Sequence, residues 1–147
     1  MYTPGNILYF TPFYFKNGEE SKSKYFIVLH SNSSNTIVAS LPTSKDHIPS
    51  FVVKKHGCIN LDPINFNCYY FVNGTVIADN GWSFPRDTYV YGQQIDTFDK
   101  GIFEEIYAIE GVDYEIVGKL TITEFSSLKN CILNSASVKR KIKILLR

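Results

Sequence analysis

The sequence predicts a mostly β domain that ends in helix, and three observations lead to this fold class. Phe, Tyr and Trp make up 15% of the 147 residues, and aromatic residues favour strands. Short apolar runs alternate with turn-forming residues as far as Gly118. Beyond Thr121 the apolar residues recur at helical spacing instead. The length corresponds to a single domain, residues 1–147.

The first predicted strands are bounded by turn signals. Pro4-Gly5 precedes a strand at Asn6–Phe10, and an exposed loop follows at Thr11–Ser23. The continuous apolar run at Tyr25–His30 is typical of a strand that is buried on both faces. A turn rich in Ser and Asn leads to a strand at Thr36–Leu41, so these last two strands are expected to form a hairpin.

The middle of the chain predicts a short strand at Phe51–Lys54 and then a second hairpin. Asn73-Gly74 separates the β-rich runs Tyr69–Val72 and Thr75–Ala78. Asn-Gly between two such runs is the strongest short-range hairpin signal. We therefore expect these two runs to pair with each other.

The following segments are more varied. A strand is predicted at Tyr89–Phe98, with Gly92 inside it as a bulge. Ile102–Ile109 is compatible with a short helix or with a strand. A last short strand is predicted at Tyr114–Gly118.

The C-terminal residues predict two amphipathic helices. Thr121-Ile122-Thr123-Glu124 fits the capping box, in which a hydroxyl and a carboxylate three residues later cap a helix start. Asn134–Ser137 interrupts the helical pattern, which resumes at Val138–Arg147. This last segment holds five basic residues and no acidic one, which is typical of a solvated helix face or of a contact with nucleic acid or an acidic partner.

Composition and charge exclude several classes of protein. The net charge of +1 gives no global nucleic-acid footprint, so a nucleic-acid role would depend on a local site. No apolar run reaches the roughly 18 residues of a membrane-spanning helix. The first residues also lack the basic start of a signal peptide. We therefore expect a soluble cytoplasmic protein with no membrane partner.

The cysteine and histidine residues predict no metal site and no cofactor. Cys58, Cys68 and Cys131 have no metal-binding spacing, and reduced, partly buried thiols are expected, with a Cys58–Cys68 disulfide as the alternative. His30, His47 and His56 are scattered, and no spacing to a carboxylate suggests a general base. A phosphate-cradling glycine loop is also absent from the sequence.

The order of five segments resembles the MazF/PemK family, small ribonuclease toxins of bacterial toxin–antitoxin pairs. The matching segments are Pro4–Phe10, Lys24–Leu29, Thr36–Ser44, Arg86–Thr88 with Gln93–Lys100, and Val117–Thr121. The resemblance covers most of residues 4–53 and 86–133. It leaves residues 54–85 as a predicted insertion.

This resemblance implies an SH3-like small barrel of about five to seven bent strands, with one or two C-terminal helices. It also implies a homodimer that an antitoxin protein neutralises. The implied activity is metal-independent, sequence-specific cleavage of single-stranded mRNA. In that reaction the ribose 2′-hydroxyl attacks the neighbouring phosphorus and leaves a cyclic phosphate.

The resemblance also assigns candidate site residues. The family uses an Arg and a Thr as catalytic residues, and the matching positions here are Lys24 and Thr43. A lysine can neutralise a phosphate but cannot bind it through two parallel hydrogen bonds. Asp96 also stands where the family has Arg. The candidate RNA-binding residues are Ser44, Gln94, Lys16, Lys22 and Arg86.

Two function classes therefore stay open. The first is a toxin-like endoribonuclease. The second is a catalytically impaired barrel that binds protein or RNA, which Lys24, Asp96 and the long insertion favour. The aromatic run at Tyr9–Phe15 is expected either to stack on RNA bases or to pack a dimer.

Overall fold

The structure is a computed structural model that describes all 147 residues, and it confirms a mostly β protein with helix at its C-terminal end. It has eight strands, one more than the upper end of the expected range, and three helices. The strands are β1 (Asn6–Phe13), β2 (Lys22–Ser31), β3 (Thr36–Ser40), β4 (Gly57–Leu61), β5 (Phe66–Phe71), β6 (Thr88–Tyr91), β7 (Ile95–Asp99) and β8 (Tyr114–Lys119). The helices are α1 (Lys100–Ile106), α2 (Ile122–Leu133) and α3 (Arg140–Leu146).

The strands form two antiparallel sheets that meet at a single bridge. A five-stranded sheet has the order β7-β3-β2-β1-β8, and a three-stranded sheet has the order β4-β5-β6. Thr43, just after β3, pairs with Tyr89 of β6 and joins the two sheets. The ladders do not close into one continuous barrel.

The five-stranded sheet is buried on both faces, which accounts for the continuous apolar run in β2. Phe26 and Val28 pack on one face with residues of α1. Ile27 and Leu29 pack on the other face with residues of α2, α3 and the three-stranded sheet. Successive residues of a strand point to opposite faces, so a strand covered on both sides needs apolar residues throughout.

The predicted Asn73-Gly74 hairpin is wrong. Gly74 does form a turn, with a φ of 72°, but Thr75–Ala78 is not a strand. Both edges of β5 are already paired, one with β4 and the other with β6. The chain therefore leaves the sheet after the turn, and Ile77 enters the main core.

Two further strand predictions are corrected. Phe51–Lys54 forms no strand, and its Phe51 and Val53 side chains are exposed. The predicted strand at Tyr89–Phe98 is divided at Gly92 into β6 and β7, which belong to different sheets. A Cβ at Gly92 would lie 2.8 Å from an Asn67 side-chain oxygen and 2.9 Å from a Val138 methyl group, so any other residue at this crossing between sheets would force these side chains to shift.

The start of α2 confirms the predicted cap. The Thr121 hydroxyl accepts a hydrogen bond of 3.1 Å from the Glu124 N–H. The Glu124 carboxylate does not return to the cap. It bonds instead to His56 and Tyr69, which attaches α2 to the three-stranded sheet.

The expectation of three reduced cysteines is wrong, and so is the Cys58–Cys68 alternative. Cys58 of β4 and Cys131 of α2 form a disulfide across a sequence separation of 73 residues. Cys68 is a free thiol, and burial raises its pKa to about 12. The pairing depends on how α2 packs on β4, which cysteine spacing does not encode.

None of the helices has both the length and the apolar character that crossing a bilayer requires.

Candidate functional site

An open cavity of about 440 Å³ lies beside the junction of the two sheets. We call it the basic cavity, because its charged lining residues are Lys22, Lys24, Lys45 and Arg86 and no Asp or Glu lines it. Several of its other residues carry hydroxyl groups. A concave surface with four cations and no carboxylate has a positive potential and attracts anions.

The antiparallel pairing of β2 and β3 brings Lys24 and Thr43 together. Ile27 pairs with Ser40. Because the strands are antiparallel, Lys24, three residues before Ile27, and Thr43, three residues after Ser40, stand on facing segments, and both line the basic cavity.

Backbone hydrogen bonds fix the position of Thr43. Its N–H donates to the Tyr89 carbonyl at 3.0 Å, and its carbonyl accepts from the Tyr89 N–H at 2.8 Å. Its hydroxyl oxygen accepts a bond of 3.2 Å from the Lys45 N–H. The Thr43 O–H donates to no protein group, which leaves this proton for a ligand.

Lys24 is a half-buried cation without a carboxylate partner. Its ammonium donates one hydrogen bond of 3.0 Å to the Pro42 carbonyl, and none of the three ion pairs includes it. Burial, followed by the charges of Lys22 and Lys45, lowers the pKa of Lys24 below its ordinary value. Because an ammonium has three N–H donors, two remain for an anion.

Ser44, Lys22 and Arg86 complete the predicted set in this cavity. All three residues are exposed, and none of their side chains forms a hydrogen bond or ion pair within the protein. The structure therefore brings together five of the seven residues that the sequence proposed.

Gln94 lies in an adjoining cavity of about 220 Å³, whose lining includes Lys22, Lys24 and Thr43. The shared residues make the two cavities parts of one groove. His47 also lines this adjoining part, and its ring nitrogens make no hydrogen bond within the protein.

Lys16 stands apart from the basic cavity. Its ammonium pairs with Asp96 at 3.2 Å and lies 4.3 Å from the centre of the Phe98 ring. Both Lys16 and Asp96 line a third cavity of about 220 Å³. Burial raises the pKa of Asp96, but the Thr97 N–H and Lys16 outweigh this effect and lower it.

Tyrosine residues hold the irregular segment that follows β3, residues 42–56. The Tyr91 hydroxyl donates to the Lys45 carbonyl at 2.6 Å and accepts from the His47 N–H at 2.7 Å. Lys54 pairs with Asp46 at 2.7 Å. This segment sets the position of Thr43 and Lys45 relative to β6.

A second polar cluster is internally satisfied. His56 Nε2 lies 3.0 Å and 3.1 Å from the two Glu124 oxygens, and Tyr69 donates to the same carboxylate. The Val72 N–H donates to His56 Nδ1 at 3.1 Å, so the ring hydrogen is on Nε2. The cluster fastens α2 to the three-stranded sheet, and no sequence pattern predicts it because 68 residues separate His56 from Glu124.

Sequence reasoning missed several residues of the groove. Lys45 directly follows the matched segment Thr36–Ser44, and a positive charge two residues after Thr43 was a usable signal. The apolar run Tyr25–His30 predicts burial of Tyr25, but this residue is half-buried and lines the basic cavity beside Tyr9. His47 gave no signal, because its position depends on the irregular segment 42–56.

No group of three or more His, Cys, Asp or Glu side chains is arranged to hold a metal ion. Comparison of the chain with protein-family models returned no match, and comparison with curated proteins returned none either.

Proposed function

We propose that this protein is a toxin-like, metal-independent endoribonuclease that cleaves single-stranded mRNA at the basic cavity. In this proposal it acts as a homodimer in the cytoplasm and is neutralised by an antitoxin protein. A single observation carries the proposal: the two residues matched to the family's catalytic pair, Lys24 and Thr43, share a cavity that has four cations and no carboxylate.

The chemistry of each group fits the reaction. The RNA 2′-oxygen attacks phosphorus while the bond to the 5′-oxygen breaks, which gives a 2′,3′-cyclic phosphate and a 5′-hydroxyl. The proton of the 2′-hydroxyl passes to solvent water, and the 5′-oxygen receives a proton from the Lys24 ammonium, which water then restores. The transition state carries extra negative charge on the phosphoryl oxygens, which preorganised donors stabilise.

In this proposal Thr43 and Lys24 have different roles in stabilising the transition state. The free Thr43 O–H donates to a phosphoryl oxygen. The Lys24 ammonium neutralises charge, and its lowered pKa makes it a better proton donor to the leaving 5′-oxygen than an ordinary lysine. The phosphates on either side of the cleaved one are bound electrostatically by the other three cations that line the cavity, Lys22, Lys45 and Arg86.

An acidic segment of the antitoxin would fit the same surface. Four unpaired cations attract carboxylates as well as phosphates, and occupation of the cavity by a protein chain excludes RNA.

The test is incubation of the purified protein with a long single-stranded RNA in EDTA. We expect discrete fragments with 5′-hydroxyl ends, and a loss of at least about 100-fold in rate for Lys24→Ala and for Thr43→Ala. Lys55→Ala is the matched control, because Lys55 is exposed and does not line the basic cavity. Equal rates for Lys24→Ala and wild type would exclude this site.

A protein- or RNA-binding module is the second candidate. It is favoured by Lys24, which lacks the planar fork of arginine, and by the absence of any imidazole or carboxylate from the lining of the basic cavity. RNA binding by a folded protein that leaves the RNA intact would support this candidate instead.

A further inference from the structure

Two tyrosines form an aromatic wall of the basic cavity. Tyr9 of β1 and Tyr25 of β2 are directly paired across the two strands, and both line the cavity. Their ring centres are 4.7 Å apart, with an angle of 45° between the ring planes. The side chains are half-buried, so part of each ring faces solvent.

The tyrosine pair is supported from behind by other aromatic rings. Tyr25 packs at 5.5 Å against Trp82 and at 5.2 Å against Phe84, and Phe84 is buried in the main core. Tyr9 has Tyr25 as its only aromatic neighbour, and it lines the cavity. Neither hydroxyl is among the tyrosine hydroxyls that form hydrogen bonds within the protein. A ring fixed in this way loses little entropy when a ligand packs on it.

The same cavity places cations beside these rings. Lys22 and Lys24 are on β2 with Tyr25, and Arg86 lies on the segment before β6. Proteins that bind single-stranded nucleic acid combine cations for the phosphates with aromatic side chains on which unpaired bases stack. An inorganic or sugar phosphate would use only the cations.

We propose that Tyr9 and Tyr25 form a stacking subsite for an unpaired nucleobase of RNA, next to the phosphate that Lys24 binds. This inference rests on the proposed function in so far as RNA is the ligand of the cavity. It adds a contact to the base, whereas the cations contact only the backbone. The competing explanation is that the two tyrosine rings only pack against each other to form the wall of the cavity and contact no base.

The experiment compares two probes that cannot be cleaved at the 2′ position. One is a fluorescent 2′-O-methyl RNA octamer, and the other is an abasic octamer with the same backbone charge. We expect wild type to bind the base-bearing probe about tenfold more tightly than the abasic one. Tyr9→Leu and Tyr25→Leu should remove most of this preference and leave the abasic affinity unchanged.

Three control variants complete the design. Tyr25→Phe keeps the ring and should keep the preference, and Tyr9→Leu still tests the subsite if Tyr25→Leu fails to fold. Tyr14→Leu removes an exposed tyrosine that does not line the basic cavity, and it should behave as wild type. Lys24→Ala should weaken binding of both probes about equally.

The outcomes separate this subsite from the proposed ribonuclease activity. Base preference that depends on the two tyrosines, without cleavage of natural RNA, supports the subsite and counts against the enzyme. Cleavage of RNA by a protein with no base preference overturns the subsite alone. Failure of wild type to bind either probe overturns both.

Discussion

Lys24 lines the basic cavity, whereas Lys54 belongs to segment 42–56 and does not line it, and the surroundings of the two lysines differ. Lys54 pairs with Asp46 at 2.7 Å, contacts the Tyr89 hydroxyl at 3.0 Å, and lies 5.0 Å from the centre of the Tyr70 ring. The bonds to Asp46 and Tyr89 raise its pKa. Lys24 has one carbonyl as its partner, two lysines nearby, and a lowered pKa.

The difference indicates which lysine stabilises the fold and which is kept for a ligand. A half-buried cation without a carboxylate costs stability, because it has lost hydration without gaining an opposite charge. An anion in the basic cavity would remove that cost. Lys54 already has its anion in Asp46, and its bonds hold segment 42–56 in place.

The largest expected effect concerns nucleic-acid binding. Lys24→Ala should reduce affinity for a single-stranded RNA octamer about tenfold and make the slope of log affinity against log salt shallower by about 0.7. Lys54→Ala should change neither by more than about twofold. Fluorescence anisotropy between 50 and 300 mM salt would measure both quantities, and equal slopes for the two variants would remove the distinction between these lysines.

The second effect concerns stability. Lys54→Met should lower the free energy of unfolding by about 1 kcal/mol, because it removes an ion pair and contacts with two tyrosine rings. Lys24→Met should raise the melting temperature by about 2 °C, because a charge without a partner is removed. Urea and thermal unfolding of both variants at neutral pH would show whether the signs are opposite.

The stabilisation by Lys54 should also depend on acid. The hydrogen bond from Lys54 lowers the pKa of Asp46, so this pair stabilises the fold above the ordinary carboxyl pKa and is lost as pH falls through the lower folded value. The difference between wild type and Lys54→Met should shrink over that range. A difference that stays constant down to pH 2 would mean that the ring contacts, rather than Asp46, stabilise the segment.

The third effect concerns alkaline pH. Because the pKa of Lys24 is lowered, its charge is lost at a lower pH than that of an ordinary lysine. RNA affinity should therefore decline by roughly threefold as the pH rises toward the range in which an ordinary lysine titrates, and Lys24→Arg should abolish this decline since arginine keeps its charge. An identical pH profile for both proteins would show that the Lys24 charge does not control binding.

The smallest effect concerns Lys16. Its pair with Asp96 is about half exposed on both sides, so a double-mutant cycle should give a coupling energy of about 0.5 kcal/mol or less. Lys16→Ala should leave RNA binding within about twofold of wild type. A loss as large as that of Lys24→Ala would make Lys16 part of the binding surface after all.

Strand β2 and the cap of α2 were predictable because their causes are local. The apolar run of β2 and the hydroxyl of Thr121 each act within a few residues. The turn predicted at Asn73-Gly74 is present, but the predicted hairpin is not. Strand β5 pairs with β4 and β6 instead, and the local sequence does not specify those partners. Local signals define turns, and competition between strands decides pairing.

In the candidate site too, features with a local sequence signal were predictable and contacts between remote residues were not. Lys24 and Thr43 were found through their places in matched segments, and the β2–β3 register explains why these places meet. Lys16 was proposed from its charge and its place in the loop expected over the site, and its pairing with Asp96 is a contact across 80 residues. The disulfide of Cys58 with Cys131 and the His56–Glu124 contact are equally remote in sequence, so neither was predictable from spacing.

The bridge between Thr43 and Tyr89 has a consequence for the time at which the basic cavity forms during synthesis. Lys24 and Thr43 leave the ribosome early, whereas Arg86 and Tyr89 follow only after β4 and β5 have been made. A nascent chain that stops before Tyr89 therefore carries both candidate catalytic residues without the partner that fixes Thr43. The basic cavity would therefore be complete, and able to bind RNA at the ribosome, only after most of the chain has been made and the two sheets can dock.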